Sequence, residues 1–360
     1  MRERRGFIIL LALFCCPYGQ RIAIAQQTAT PKTVVAPQEK PLAGYPIAAA
    51  RRRAIATAPF HRPLDEDAIK KWMDISSQCT IAEFELFLAP LSPQEAKLLA
   101  KIEKMPPPIV NRLYFEHLRS VLKNGGLYSL TLEEKTLDKP FQHTTPAVEN
   151  ELFGAFECVF ASVGPPNGSP RYGDVIIRMK DSVRETGWAT PFSGMHFIYA
   201  IRHQPARKMQ DLLASGKPLP TARTNPLSLG FDDRLSYSHY IVTEQYWHKA
   251  LAYQAILVLR NLDNSKSGNL ARQRFEAMLA EQDAEKFWAF FIPAREKGLS
   301  AEAEAARVPF GYLEAKFPNK LSMDFVTSIE VSPKQLAEVR TWPEAKPYLS
   351  RIRVKPNGVN

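Results

Sequence analysis

The stretch LYFEHLRSVLKNGGLYS, Leu113 to Ser129, constrains this fold more than any other part of the chain. In EHLRSVLKN, Leu118, Val121 and Leu122 stand at i, i+3 and i+4, so a short amphipathic helix carries one apolar stripe. Gly125 falls where a left-handed helix stop is wanted, and Lys123 suits the negative end of the helix. The residues before it, IVNRLYF, are β-rich, and GLYSLTL restarts a strand. Strand, short helix, two glycines and strand form a tight unit, with Arg112 before it, His117 inside it and Ser129 after it.

Other segments build a mixed fold around that unit. SPQEAKLLAKIEKM opens with Ser92 as N-cap, Pro93 at the first helical position and Glu95 closing a capping box. MPPPIV ends that helix and leads into an extended segment. CVFASV and YGDVIIRMK read as strands joined by GPPNGSP, which is dense in turn residues. In the second, Val175, Ile177 and Met179 alternate with Arg178 and Lys180, which predicts one buried and one wet face. YIVTEQYWHKALAYQAILVLRNL predicts a long buried helix, and NLARQRFEAMLAEQDAEKFWAFF one or two more. MDFVTSIEV predicts a strand that runs into SPKQLAEV, where Ser332, Pro333 and Gln335 repeat the cap, first turn and capping box. The expectation is one α+β domain over 109–350 with a helical segment over 61–108 in front of it.

The N-terminus reads as a targeting segment. Arg2, Arg4 and Arg5 precede an apolar run from Phe7 to Cys16 that is too short to span a bilayer. Ala23 and Ala25 occupy the small-residue positions of a cleavage site, so residues 1–25 are expected to be a signal peptide and the protein to be exported, periplasmic or secreted. Residues 26–60, rich in Ala, Pro, Thr and Lys/Arg, read as a flexible linker. No later stretch is apolar enough to predict a membrane span. Cys79 and Cys158 then remain, either as one disulfide or as two buried thiols. The formal charge is +10, and loss of Arg2, Arg4, Arg5, Arg21 and Glu3 with the leader leaves about +7. That is mildly basic and reads either as solubility or as attraction to anionic ligands, surfaces or nucleic acid, and no Lys/Arg run is long enough to favour nucleic acid over solubility.

Several chemistries are disfavoured by missing motifs. GxSxG, HExxH, CxxC, a P-loop and GxGxxG are all absent. Glu244 and His248 stand at i and i+4, a spacing that can hold a metal from one helix face, but it reads better as a polar stripe on a buried helix. No metal site is therefore expected. In FVTSIEV, Phe325, Ile329 and Val331 share one face while Ser328 and Glu330 share the other, so Glu330 is expected to point away from the core.

Three of these segments together resemble the ADP-ribosyltransferase fold. NRLYFEHLRSVLKNGGLYS is similar to that family's first strand and following helix, and CVFASVGPPNGSPRYGDVIIRMK to its central strand pair. MDFVTSIEVSPKQLAEV is similar to its last part, where a strand carries a Glu before a capped helix. The resemblance covers about 109–180 and 320–340 and implies a mixed or antiparallel split sheet. It also implies NAD as substrate, with ADP-ribose passed to a protein or nucleic-acid acceptor, as in bacterial toxins and effectors. On this reading Glu330 is the catalytic carboxylate that stabilises charge on the ribose. Arg112, with His117 as a second candidate, holds the pyrophosphate. Ser129, Ser162 or Tyr172 contacts the nicotinamide, and Ser328 lies two residues before the Glu. Ser328 stands where Arg-directed members carry Gln or Glu. A non-catalytic binding protein on the same fold is the alternative.

Overall fold

Arg178, read as part of a wet face, locates the central feature of the structure: a sheet whose second face is polar yet covered, whereas Lys180, past the strand end, is exposed as expected. The computed structural model describes residues 42–46, 65–138, 153–190, 241–260, 266–291 and 312–356, and single positions between them. All of these lie in one compact unit, Glu39–Asn360. Residues 1–25, read as a signal peptide, and most of 26–60, read as a linker, fall outside the described residues.

The described strands are β1 (Ile109–Leu113), β2 (Gly126–Tyr128), β3 (Cys158–Val163), β4 (Val175–Met179), β5 (Trp188–Thr190), β6 (Leu313–Pro318), β7 (Lys320–Ser322), β8 (Val326–Val331) and β9 (Ile352–Val354). Seven make one sheet in the order β5–β6–β3–β1–β4–β8–β9, while β2 and β7 pair separately. Every pairing is antiparallel except β8 with β9, which is parallel. The fold is therefore α+β with a mixed sheet.

Register assigns the two faces. Ile109 lies opposite Val163, Asn111 opposite Ile177, Ile177 opposite Ile329 and Ala161 opposite Ala315. Directly opposed residues share a face, so these form the apolar side. It joins the main core together with the helix α5 (Trp247–Arg260), whose Leu251 and Ile256 are fully buried. Helices α1 (Glu66–Leu88) and α2 (Pro93–Lys104) pack on α5 in turn. The remaining described helices are α3 (Phe115–Asn124), α4 (Leu130–Leu137), α6 (Lys266–Ala280), α7 (Ala284–Trp288) and α8 (Pro333–Val339).

The local signals were sound at the helix ends. Both capping boxes form, Ser92 with Glu95 and Ser332 with Gln335. Gly125 closes α3 at φ 63°. Asp174 ties two of these units together, accepting from the Phe115 amide at 2.9 Å and from the Gln335 side chain.

Four expectations are corrected. GLYSLTL is a strand only to Tyr128; Ser129 then caps α4, because its hydroxyl accepts from the Leu132 amide. The buried helix begins at Trp247, preceded by a 3-10 turn (Glu244–Tyr246) and by Val242 bridged to Ala189. MDFVTSIEV starts with a 3-10 turn, Met323–Phe325, before β8. Within the linker, residues 42–46 are docked and not free: Gly44 O accepts from Cys158 Sγ at 3.2 Å and from Trp188 Nε1 at 3.4 Å. Cys158 is a buried thiol hydrogen-bonded to Gly44 O, and no disulfide holds it.

Gly173 is the backbone position with least room. Its φ is +141°, and a Cβ there would lie 2.0–2.5 Å from the backbone of Leu113 and Tyr114. Gly125 also has positive φ, but its nearest obstacle is the Tyr348 hydroxyl at 3.5 Å. Gly173→Ala should therefore cost about 3 kcal/mol or more, and Gly125→Ala only about 1–2 kcal/mol. Urea unfolding of the two variants measures the difference; equal losses would mean that the close approach at Gly173 is relaxed without cost.

Candidate functional site

The residues singled out from the sequence fall into two groups. Arg112, Ser162, Ser328 and Glu330 all lie on the second face of the sheet. Cross-strand register runs Ser162–Val110–Arg178–Ser328 and, one row along, Arg112–Ile176–Glu330–Arg353. The topology does bring Arg112 and Glu330 to one face, two strands apart. His117 and Ser129 lie elsewhere, and Tyr172 belongs to the loop that covers this face.

That face is roofed by the chain's own loop, residues 164–174. Arg112 donates from Nε to Gly173 O at 2.7 Å and from a terminal nitrogen to Asn167 O at 3.2 Å. Arg178 donates to Pro166 O and, at 3.1 Å, to Asn167 Oδ1. Gly168, at φ +58°, leaves so little room that a Cβ would lie 3.1 Å from Ser162 Oγ and 3.3 Å from Arg112 Cγ. Ser162 itself donates to Val110 O at 3.2 Å. The Ser328 hydroxyl is buried with no partner among the described residues.

Glu330 differs most from its sequence reading. It has no exposed surface. Arg178 holds it through two contacts, Nε to Oε1 at 2.6 Å and a terminal nitrogen to Oε2 at 3.1 Å. Arg353 adds two contacts to Oε1, at 2.6 and 3.1 Å. Burial by itself would raise the carboxyl pKa, but the hydrogen bonds and charges of Arg178 and Arg353 outweigh it and hold the group below the ordinary glutamate value. The carboxylate was expected to point away from the core, and it does lie on the second face of the sheet, but Arg178 and Arg353 hold it there as the buried centre of an ion cluster.

The other candidates have structural roles or open positions. Ser129 is the N-cap of α4 and is buried. His117 sits on α3 with Nε2 3.7 Å from the Glu116 carboxylate, away from the roofed face. Tyr172 is half exposed in a 3-10 turn, with the Arg171 guanidinium 5.8 Å from its ring.

Two further constellations lie outside the residues chosen as site candidates. Lys316, opposite Phe160 on β3 and Trp188 on β5, is fully buried. Its ammonium donates to Glu314 at 2.6 Å and Thr190 at 3.3 Å, with the rings of Phe153, Phe160 and Trp188 5.1–5.5 Å away. Glu314 lies opposite both Ser162 and Thr190. The signal was LEAKFP, an alternating strand with a Lys and a Glu on one face.

The second is a cleft of about 360 Å³ between the end of α2, the 3-10 turn Asp181–Thr186 and the start of α5. Glu103, Asp181, Arg184, Glu185, Glu244 and His248 line it, and none of the seven residues chosen from the sequence does. Glu244 and His248 thus share a cleft wall, where a buried polar stripe was expected. Burial chiefly, with Arg184 and Lys249 adding to it, pushes the His248 pKa down against the pull of Glu103, so its ring is neutral at neutral pH. No group of three or more His, Cys, Asp or Glu among the described residues could hold a metal.

The Glu330 cluster makes a prediction about acid stability. Its lowered folded-state pKa contributes stability that is complete above the ordinary glutamate value of 4.5 and is lost as pH falls through the folded value. Glu330→Gln leaves the part-buried Arg178 without its charge partner, while the exposed Arg353 can turn to water, and should cost about 2–3 kcal/mol at neutral pH. The gap between variant and parent should narrow in acid. Urea midpoints at pH 7 and in acid measure both; an unchanged neutral midpoint would show that the cluster contributes nothing net.

No family model matches this chain and no curated protein matches it. The likeness to ADP-ribosyltransferases rests on the residues quoted above.

Proposed function

We propose that this chain is an exported binding protein and not a transferase acting through Glu330. One observation supports the reading above all: the carboxylate has no exposed surface and both its oxygens are held by Arg178 and Arg353. Transfer of ADP-ribose needs a preorganised carboxylate free to take the ribose 2′-hydroxyl as positive charge develops. Freeing Glu330 for that task would break a buried ion pair, at a cost of about 2–3 kcal/mol. The pyrophosphate role of Arg112 meets the same obstacle, because its guanidinium already serves the carbonyls of Gly173 and Asn167. The roofing loop lies where a dinucleotide would have to lie.

A small ligand fits better in the α2–α5 cleft, whose size falls within the range of about 300–1,000 Å³ common for such sites. Glu103, Glu185 and Glu244 make no side-chain hydrogen bond or ion pair among the described residues. Those carboxylates favour a ligand with a cationic group, and the neutral His248 ring offers one donor and one acceptor beside them.

A second reading keeps the transferase but moves it along the sheet. Glu314 retains some exposure and stands opposite Ser162 and Thr190 on the same face as Arg112. An NAD-cleavage assay separates the two. The binding reading expects no turnover and no saturable NAD binding by calorimetry. Turnover abolished in Glu314→Gln, kept in Glu330→Gln and accompanied by an intact circular dichroism spectrum would overturn it in favour of Glu314. Turnover lost in a folded Glu330→Gln would instead restore the original assignment.

A further inference from the structure

The end of the chain carries more positive charge than the fold uses. Between Ser332 and Pro356 stand Lys334, Arg340, Lys346, Arg351, Arg353 and Lys355, against Glu338 and Glu344. These residues belong to α8, the 3-10 helix Pro343–Arg351 and β9, which pack together, and α3 packs on the same 3-10 helix. Some of the cations are committed. Arg353 is bound to Glu330, Arg351 donates to Met323 O at 2.6 Å and Arg119 of α3 pairs with Glu344 at 3.2 Å. Lys334, Arg340, Lys346 and Lys355, with Lys123 of α3, make no side-chain hydrogen bond or ion pair among the described residues.

The nature of the remaining surface narrows the partner. Base stacking needs open aromatic faces, and the main candidate here is occupied: Trp342 stacks on Phe115 at 5.3 Å and has Arg119 over it at 5.8 Å. On the C-terminal segment the exposed large apolar side chains are aliphatic, Leu349 at 38 % and Val354 at 41 % of their full exposure, while Tyr114, exposed just before α3, donates its hydroxyl to Arg171 O at 3.2 Å. Aliphatic tips among uncommitted lysines and arginines suit a bilayer surface, where the tips enter the headgroup boundary and the cations meet lipid phosphates and carboxylates. No described helix is long and apolar enough to cross a membrane, so contact made this way is peripheral.

We infer that the α3–α8–β9 face docks on an anionic lipid surface. It is separate from the α2–α5 cleft and from the roofed sheet face, and it holds whether or not the binding-protein reading does. The test uses the full chain in co-sedimentation with vesicles of phosphatidylcholine alone or mixed with phosphatidylserine, and with duplex DNA as competitor. The protein should pellet with the anionic vesicles only. Each surface cation contributes roughly fivefold, so Lys334→Glu, Arg340→Glu, Lys346→Glu and Lys355→Glu together should weaken binding at least about a hundredfold. Leu349→Ser with Val354→Ser should weaken it several-fold with the charge unchanged. None of these side chains is buried, so thermal melts of the variants should match the parent. Failure to pellet with anionic vesicles overturns the inference, as does binding unmoved by the charge reversals. Displacement by duplex DNA at equal charge concentration also overturns it and assigns the face to nucleic acid.

Discussion

Two guanidinium groups hold one loop onto the polar face of the sheet, and much of this structure follows from that. Arg112 and Arg178 each have several donors in a fixed fork, which lets one side chain serve more than one acceptor. Between them they satisfy carbonyls of Pro166, Asn167 and Gly173 and, through Arg178, both oxygens of Glu330. A loop laid over a sheet would otherwise bury carbonyls with nothing to bond them, at a cost of about 1–3 kcal/mol each. The glycines complete the fit: Gly168 and Gly173 take positive φ where the loop meets the β1 backbone and side chains. The charges are balanced within the same cluster, because Glu330 answers Arg178 from β4 and Arg353 from β9.

Much of this fold was legible because its signals are local. Ser92 with Glu95, Ser332 with Gln335 and Gly125 each act within a turn of chain, and each took the geometry its residue type favours. In β4 the buried half of the alternation holds, since Val175 and Ile177 are fully buried, but the wet half does not: Ile176 is as buried as they are and Arg178 lies under the loop. What alternation lacks is any information on what covers the other face. Arg178 and Glu330 have the pattern of solvated residues, but a solvated face and a face roofed by a distant loop produce the same period of two. The roof is made of GPPNGSP, which reads as a hairpin turn because Gly, Pro, Asn and Ser favour turns wherever the turn then lies. Ser129 shows the same limit on a smaller scale. A Ser after β-rich residues reads as strand until the following LTLEEKTL is seen to need a cap.

Lys316 and the α2–α5 cleft were hidden for a different reason. Each is assembled from residues far apart in the chain. Lys316 finds its oxygen partner Thr190 and the rings of Phe153, Phe160 and Trp188 across two strand pairings, β3–β6 and β5–β6. The cleft joins Glu103, Asp181 and Glu244, which share no sequence motif. The pair Glu244 and His248 was visible as a spacing, yet spacing alone cannot tell a helix interior from a cleft wall. The break between the 3-10 turn and α5 places the pair on that wall.

The contrast between Glu330 and the cleft carboxylates bears on what kind of protein this is. Ionisable groups serve chemistry or recognition when the fold leaves them exposed and unpaired; a group that its own chain buries and pairs with opposite charge or backbone carbonyls serves the fold. Glu330 is of the second kind, and so is Arg112 as far as its guanidinium reaches the loop. Glu103, Glu185 and Glu244 are of the first kind, with no partner among the described residues. The same distinction applies at the C-terminus, where Arg353 serves the fold while Lys334, Arg340, Lys346 and Lys355 face outward uncommitted. Where binding occurs is therefore better judged from which charges the fold has left unsatisfied than from which charges lie in a familiar order along the chain.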